Sequence, residues 1–271
     1  MVGHRSALGF AWAEARFDRL LAEFVEIPPI ADSVSADRKA QLRACVDLTT
    51  LSGTDTPEIV TTLAKRAIET GVAAVCVYPA LVPVVQEALI DSPVKVATVA
   101  AAFPHGLARA EDRQAEVRGV QTQGVDEIDI VIPRYLANKG RWSELHEDIA
   151  ALREASAPAH LKVILSTGEL SGPETIARAS LVAIAAGADF VKTSTGKEAV
   201  NATPEAGQAM LAAMRVAAAD GITVGIKPAG GIRTAPEADQ WAKLVESAMG
   251  DGFIHPNTFR IGASALLDDL L

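Results

Sequence analysis

DFVKTSTGKEAVNATPEAGQAMLAAMRVAAADGITVGIKPAGGIRT (189–234) carries the pattern that decides the fold. Its first residues, DFVKT (189–193), form a short apolar run of strand type. A loop leads into PEAGQAMLAAMRVAAADG (204–221), which has helical apolar spacing and closes in a glycine suited to a C-cap. The β-branched run ITVGIK (222–227) follows at once. Strand, helix and strand in this order make a βα repeat with a parallel sheet.

The alternation extends outward on both sides. Before this unit come ACVDLT (44–49), AAVCVY (73–78), VKVATVAA (94–101), DEIDIVI (126–132) and LKVILST (161–167), and after it FRIG (259–262). Between them lie Ala-, Leu- and Glu-rich stretches such as PETIARASLVAIAAG (173–187). Eight units predict an α/β chain closed as a (β/α)8 TIM barrel. No Ser/Gly/Pro-rich linker, charge run or internal repeat divides the sequence. A single domain is therefore expected over 1–271, with 1–43 as an N-terminal helical extension and 44–271 as the barrel. In the extension, Phe10, Ala13, Phe17, Leu20, Leu21 and Phe24 fall near i, i+3, i+4, i+7 spacing, with Glu14 at the stripe's edge. This predicts an amphipathic helix packed on a barrel mouth or an outer helix, with the interface of a homo-oligomer as the alternative.

With 49% of its 271 residues hydrophobic and 22% charged, the chain can bury a sizeable core. A formal charge of −9 and a pI of about 5.1 oppose a nucleic-acid partner, whose binding rests on phosphate neutralisation by Lys and Arg. No apolar run reaches the roughly 18 residues of a spanning helix, and the first residues lack a secretory apolar region. A soluble, cytoplasmic protein with no membrane partner is expected. Cys45 and Cys76 read as free thiols, and His4, His105, His146, His160 and His255 include no HxxxH pair. No metal site is expected.

Side chains alternate faces along a strand. Ile128, Ile130 and Ile132 therefore share one face and Glu127, Asp129 and Val131 the other, which turns Asp129 toward the barrel interior. The same parity groups Cys45, Asp47 and Thr49, and Thr223, Gly225 and Lys227. Lys192 and Lys227 end apolar runs on what is the active face of barrel enzymes. A Schiff-base nucleophile must be a neutral amine, and a second ammonium nearby together with desolvation favours that form. A single strand-end lysine usually snorkels to solvent; two together, beside glycine-rich loops, weaken that reading. For Asp129, ion pairing and proton transfer stand equally open.

Three loops at the same end suit phosphate: STGK (194–197), PAGGIRT (228–234) and GAS (262–264). Lys197 and Arg233 add positive charge there, although each glycine alone could simply make a turn. A P-loop is excluded, because Val191 and Glu198 stand where glycine and Ser/Thr would be required, and no GxGxxG follows any strand. No nucleotide cofactor is expected.

The segments CVDLTTLSGTDT (45–56), VCVYP (75–79), FPHG (103–106), DEIDIVI (126–132), HLKVILSTGEL (160–170), DFVKTSTGKEAVNATPE (189–205), GIKPAGGIRT (225–234) and FRIGAS (259–264) resemble the deoxyribose-phosphate aldolases, in order along the chain. KTSTGK with KPAGGIRT is the specific part. The resemblance implies a metal-independent, cofactor-free lyase that handles a phosphorylated sugar and aldehydes through a lysine Schiff base. It implies Lys192 as the imine lysine, Lys227 as the cation that perturbs it and Asp129 as the acidic partner in proton transfer. Asp47, Thr49, Lys162 and Thr195 match positions around the substrate, as does Cys76, for which a buried small hydrophobe is the commoner role. Gly196, Lys197, Gly230, Gly231, Arg233, Gly262 and Ser264 match a phosphate cradle. Two departures stand out: Ala265 replaces a second serine found in some members, and the chain stops at Leu271 without the tyrosine-ended tail of some bacterial members. Asp129, Lys227 and a positioned water are the candidates for moving protons. The alternatives are a Schiff-base aldolase for another phosphorylated sugar, or a non-catalytic sugar-phosphate-binding barrel.

Overall fold

Each of the eight apolar runs forms a strand: β1 (Val46–Thr49), β2 (Ala74–Val77), β3 (Lys95–Ala100), β4 (Glu127–Val131), β5 (His160–Ile164), β6 (Phe190–Lys192), β7 (Gly225–Lys227) and β8 (Ile261–Ala263). The structure, a computed structural model, describes residues 7–22 and 24–271; His4 and the Leu21 side chain lie outside what is described. Every strand pairs in parallel, in the order β7-β6-β5-β4-β3-β2-β1-β8. Bridges from Ile226 to Phe259 and from Ala229 to Gly262 bring the ends together, so the sheet is a nearly closed (β/α)8 TIM barrel. Among the described residues no helix is long and apolar enough to cross a membrane.

Strand limits differ from the sequence reading by two residues or more at four places, each with a local cause. β1 starts at Val46 instead of Ala44, because the helix Ala36–Ala44 runs up to it with Cys45 as its C-cap; Cys45 packs with Val46 and Leu48 in the core outside the barrel and does not share a face with Asp47 and Thr49. β7 starts at Gly225 instead of Ile222, because Gly221 (φ +75°) turns the chain and Thr223 lies exposed before the strand. Thr223 therefore does not share the inner face with Lys227. β5 stops at Ile164, after which Ser166 adopts a left-handed conformation (φ +57°) and Thr167–Glu169 forms a 3-10 turn. β8 starts two residues late, since Phe259 and Arg260 reach β7 only through an isolated bridge and the bond from Arg260 N to Ile226 O (3.0 Å).

The alternation of faces divides the apolar residues into two cores. Ile128, Ile130 and Ile132 belong to the large one between strands and helices, with Leu161, Val163 and Val191. A smaller one inside the barrel joins Leu51, Ala74, Cys76, Ala97 and Val99, with Tyr78 and Phe103 packed against it. Gly225 is required on the inner face by Phe190, a large buried side chain: a Cβ there would lie 2.2 Å from Phe190 Cε1. Overpacking of this kind costs about 1–3 kcal/mol. Gly225→Ala is expected to lower the urea midpoint by a corresponding amount, and an unchanged midpoint would show that the ring moves aside freely.

Helix starts place the loops of the active face. Thr203 caps Pro204–Ala218 by accepting from Ala206 N, and Thr234 forms a capping box with Glu237 at the start of Ala235–Met249. The N-terminal stripe is broken into an α-helix, Phe10–Glu14, and a 3-10 helix, Phe17–Ala22, instead of one continuous helix. Arg16 makes the break: its guanidinium donates to Trp12 O (2.8 Å) and pairs with Asp220 (2.5 Å). The two pieces pack on the outer helices Trp142–Ser156, Pro173–Ala185 and Pro204–Ala218, burying Ala13 and Leu20, whereas Phe24 stays 43% exposed. At the other end Leu266, Leu267 and Leu270 are buried, but Leu271 is 66% exposed.

Candidate active site

Strand parity gathers charge inside the barrel. Asp47, Glu127, Asp129, Lys162, Lys192, Lys227 and Arg260 point inward from five strands and from the residue preceding β8, and all are buried, Lys192 being 3% exposed. Neither strand-end lysine snorkels. Removing an ion from water costs on the order of several kcal/mol, and buried ion pairs seldom repay it, so stability is a poor reason for such a cluster.

Its geometry centres on Asp129. Oδ2 accepts from Lys192 (2.7 Å) and Lys227 (2.8 Å), and Oδ1 from Lys162 (2.9 Å). Of the two readings left open for Asp129, ion pairing is therefore present in the structure. Lys227 also lies 2.5 Å from Asp47 Oδ2 as an ion pair without hydrogen-bond geometry. Lys162 reaches Glu127 at 2.5 Å. Arg260 closes the lower layer, donating to Asp47 Oδ1 and to both Glu127 oxygens (2.7 and 3.1 Å).

These contacts set the proton affinities. Burial would raise all three carboxyls, but the cations outweigh it: Lys162, Lys192 and Lys227 hold Asp129 well below the carboxylate range. Lys227, Arg260 and Lys162 likewise lower Asp47, and Lys162 and Arg260 bring Glu127 to about 2. Burial would lower the cations too, yet Asp129 and Glu127 raise Lys162, Asp129 and Asp47 raise Lys227, and Asp47 and Glu127 raise Arg260. Lys192 alone among them is shifted downward: burial is the largest influence, Asp129 opposes it, and the Lys227 cation adds to it. The Cys76 thiol is pushed up to about 11 by burial and by Asp129, which leaves it an inert part of the inner apolar core.

Above Lys192 opens a cavity of about 280 Å³, at the small end of ligand pockets. Thr49, Thr195, Gly196, Lys197, Gly230, Gly231, Arg233, Gly262 and Ser264 all line it with Lys192. Asp47, Cys76, Asp129, Lys162 and Lys227 do not; they lie beneath, fully buried. In a protein of net charge −9, the charged side chains lining this cavity are Lys192, Lys197 and Arg233, with no Asp or Glu among them. That is an anion's environment.

The loops are tied to one another. Ser194 Oγ donates to Ala229 O (2.5 Å), and Gly230 (φ +78°) passes so close to Asn201 that a Cβ would meet its Cγ at 2.8 Å. Glu198 Oε1 accepts from Thr195 N (3.2 Å) and Oγ1 (2.9 Å), and Arg134 approaches it at 3.5 Å. Sequence reasoning noted Glu198 only as a departure from a P-loop and did not single out Arg260. The available signal for Arg260 was an arginine in an apolar run, FRIG, two residues from Gly262, which registers with Asp47.

The sequence profile of the DeoC/LacD family aldolases matches residues 42–271. The deoxyribose-phosphate aldolase of Mus musculus is 45% identical over 244 residues, covering 83% of this chain and 77% of that protein. The deoxyribose-phosphate aldolase of Agrobacterium fabrum is 46% identical over 230 residues, covering 83% and 87%. A Coccidioides immitis crystal structure, provisionally described as a deoxyribose-phosphate aldolase, superposes with a TM-score of 0.79 at 27% identity over 96% of this chain and 97% of that one. A profile spanning the whole barrel, relatives above 40% identity and a shared fold agree: the chain belongs to the DeoC/LacD family of aldolases.

Proposed function

We propose that the protein reversibly cleaves 2-deoxy-D-ribose 5-phosphate to D-glyceraldehyde 3-phosphate and acetaldehyde through a Schiff base on Lys192. The observation that carries this reading is a buried lysine of lowered proton affinity at the floor of a cavity whose charged lining is wholly cationic. The names of the curated relatives supply the substrate.

The open-chain sugar presents its C1 aldehyde to the neutral Lys192 amine, with its phosphate held by the three glycine-bearing loops, Lys197 and Arg233. Addition gives a carbinolamine, and loss of water gives an iminium. A base takes the C3 hydroxyl proton, the C2–C3 bond breaks, and its electron pair flows into the iminium to leave an enamine. Glyceraldehyde 3-phosphate departs, C2 is protonated, and water hydrolyses the second iminium to acetaldehyde and free Lys192. Asp129 and Lys227, 2.8 Å apart and buried beside Lys192, relay these protons together with a water.

Incubation with 2-deoxyribose 5-phosphate should release acetaldehyde and glyceraldehyde 3-phosphate in equal amounts. Cleavage of a different sugar phosphate, with this one untouched, would transfer the chemistry to another substrate. No cleavage of any would make the barrel a binding protein. Lys227→Leu should raise the proton affinity of Lys192, because the neighbouring cation that disfavours its ammonium form is gone. The pH midpoint of imine formation then moves up and activity near neutrality falls about 10- to 100-fold, each pH unit being worth about tenfold in neutral amine. A pH profile identical to the parent enzyme's would remove Lys227 from this role.

A further inference from the structure

The charged groups inside the barrel do not balance. Three carboxylates, Asp47, Glu127 and Asp129, face four cations, Lys162, Lys192, Lys227 and Arg260. We propose that Arg260 is a positioning residue for the aldolase reaction: by occupying Asp47 and Glu127 from below, it leaves the three lysines one carboxylate short, and the shortfall falls on Lys192. The inference rests on Lys192 being the imine lysine.

Arg260 is suited to be the permanent cation. It is 1% exposed, its guanidinium cannot give up a proton at any working pH, and its Nε is held by Pro256 O. It reaches both acids of the lower layer while its Cζ lies over the Phe190 ring, 5.7 Å from the ring centroid. Glu127 is thereby divided between Arg260 and Lys162, and Asp47 between Arg260 and Lys227, with Lys162 farther off at 3.6 Å. Lys162 and Lys227 must then share Asp129 with Lys192. A cluster with one excess positive charge in a low-dielectric interior lowers its energy by releasing one proton. Lys192 is the cation that can release it most cheaply, since it contacts only Asp129 among the three acids, and it is the cation that borders the cavity. Without Arg260, Asp47 and Glu127 would neutralise Lys227 and Lys162, and Asp129 would stabilise Lys192 as an ammonium.

Seven strands and the residue before β8 contribute the groups that face this cluster: Asp47 on β1, the Cys76 thiol on β2, Lys95 on β3, Glu127 and Asp129 on β4, Lys162 on β5, Lys192 on β6, Lys227 on β7, and Arg260. Lys95 lies 3.4 Å from Glu127, but a third of its side chain is in water, which screens it; His160 on β5 is half-buried and lies among Asp189, Lys95 and Glu127.

The test reads the pH midpoint at which acetaldehyde is trapped on Lys192 by borohydride, with the adduct located by peptide mapping. Arg260→Met should raise that midpoint by about one pH unit, so that kcat/KM lost near neutrality returns in alkali. Arg260→Lys should keep it near the parent value. Glu127→Gln should lower it, and the double variant Arg260→Met/Glu127→Gln should restore it, because the excess is again one charge. A role in shape alone would reduce activity at every pH without moving the midpoint. A folded Arg260→Met whose midpoint stays or falls overturns the proposal. If Arg260→Met does not fold, a Glu127→Gln midpoint that fails to fall overturns it. An adduct on another residue in the parent enzyme would instead strike down the reading of Lys192 itself.

Discussion

Replacing Lys192 with methionine is expected to reduce cleavage of 2-deoxyribose 5-phosphate by roughly 10⁴-fold or more, the scale on which loss of a covalent nucleophile is felt. The barrel should remain folded. Methionine approximates the lysine stem, and Asp129 keeps Lys162 and Lys227 as partners, so no buried carboxylate is stranded. Lys227 cannot substitute for the missing amine: it is fully buried, raised in proton affinity by Asp129 and Asp47 against the effect of burial, and does not line the cavity. Steady-state assay with a thermal-unfolding control checks both halves. Retained turnover in a folded Lys192→Met enzyme would put the imine elsewhere.

Asp129→Asn should have the second-largest effect, on both folding and chemistry. The carboxylate is the common acceptor of three buried lysines, and removing one partner of a buried ion pair costs about 3–5 kcal/mol. The sign at Lys192 is opposite to that of Lys227→Leu. Burial already lowers this amine and Asp129 opposes burial, so the asparagine variant should form its imine at lower pH. Proton transfer should nevertheless fail. Solvent deuterium should no longer enter the methyl group of acetaldehyde, whereas Tyr78→Phe and Tyr135→Phe should exchange normally. Neither tyrosine lines the cavity: Tyr78 packs edge-on against Phe103 at 6.0 Å, and Tyr135 is 50% exposed. Urea unfolding and deuterium incorporation measure the two effects separately. Normal exchange in Asp129→Asn, with loss in a tyrosine variant, would assign the relay to the wrong residue.

The repeat of apolar runs was sufficient to read eight parallel strands, because each strand buries a continuous apolar face against helices and announces itself locally. Parity within DEIDIVI was likewise enough to turn Asp129 inward. Edges were less legible. Where ITVGIK begins to pair depends on Phe190 of the neighbouring strand and on the turn at Gly221, neither of which is written in the run itself. The N-terminal stripe had helical spacing, yet the ion pair of Arg16 with Asp220, far away in sequence, divides it. The same limit applies to the site. Lys192, Lys227 and the glycine-bearing loops stand at strand ends and could be read from position. Arg260 gains meaning only from Asp47 and Glu127, which other strands bring to it. Thr195 depends in the same way on Glu198, whose carboxylate fixes the loop from within.

The proposed reaction requires a covalent intermediate on one lysine. Borohydride reduction in the presence of acetaldehyde, followed by proteolysis and mass mapping, tests it most directly. The expected result is a single ethyl adduct on Lys192, within KTSTGK, formed in step with loss of activity. An adduct on Lys227, or no adduct at all during active turnover, would mean that the enzyme does not work through an imine on Lys192.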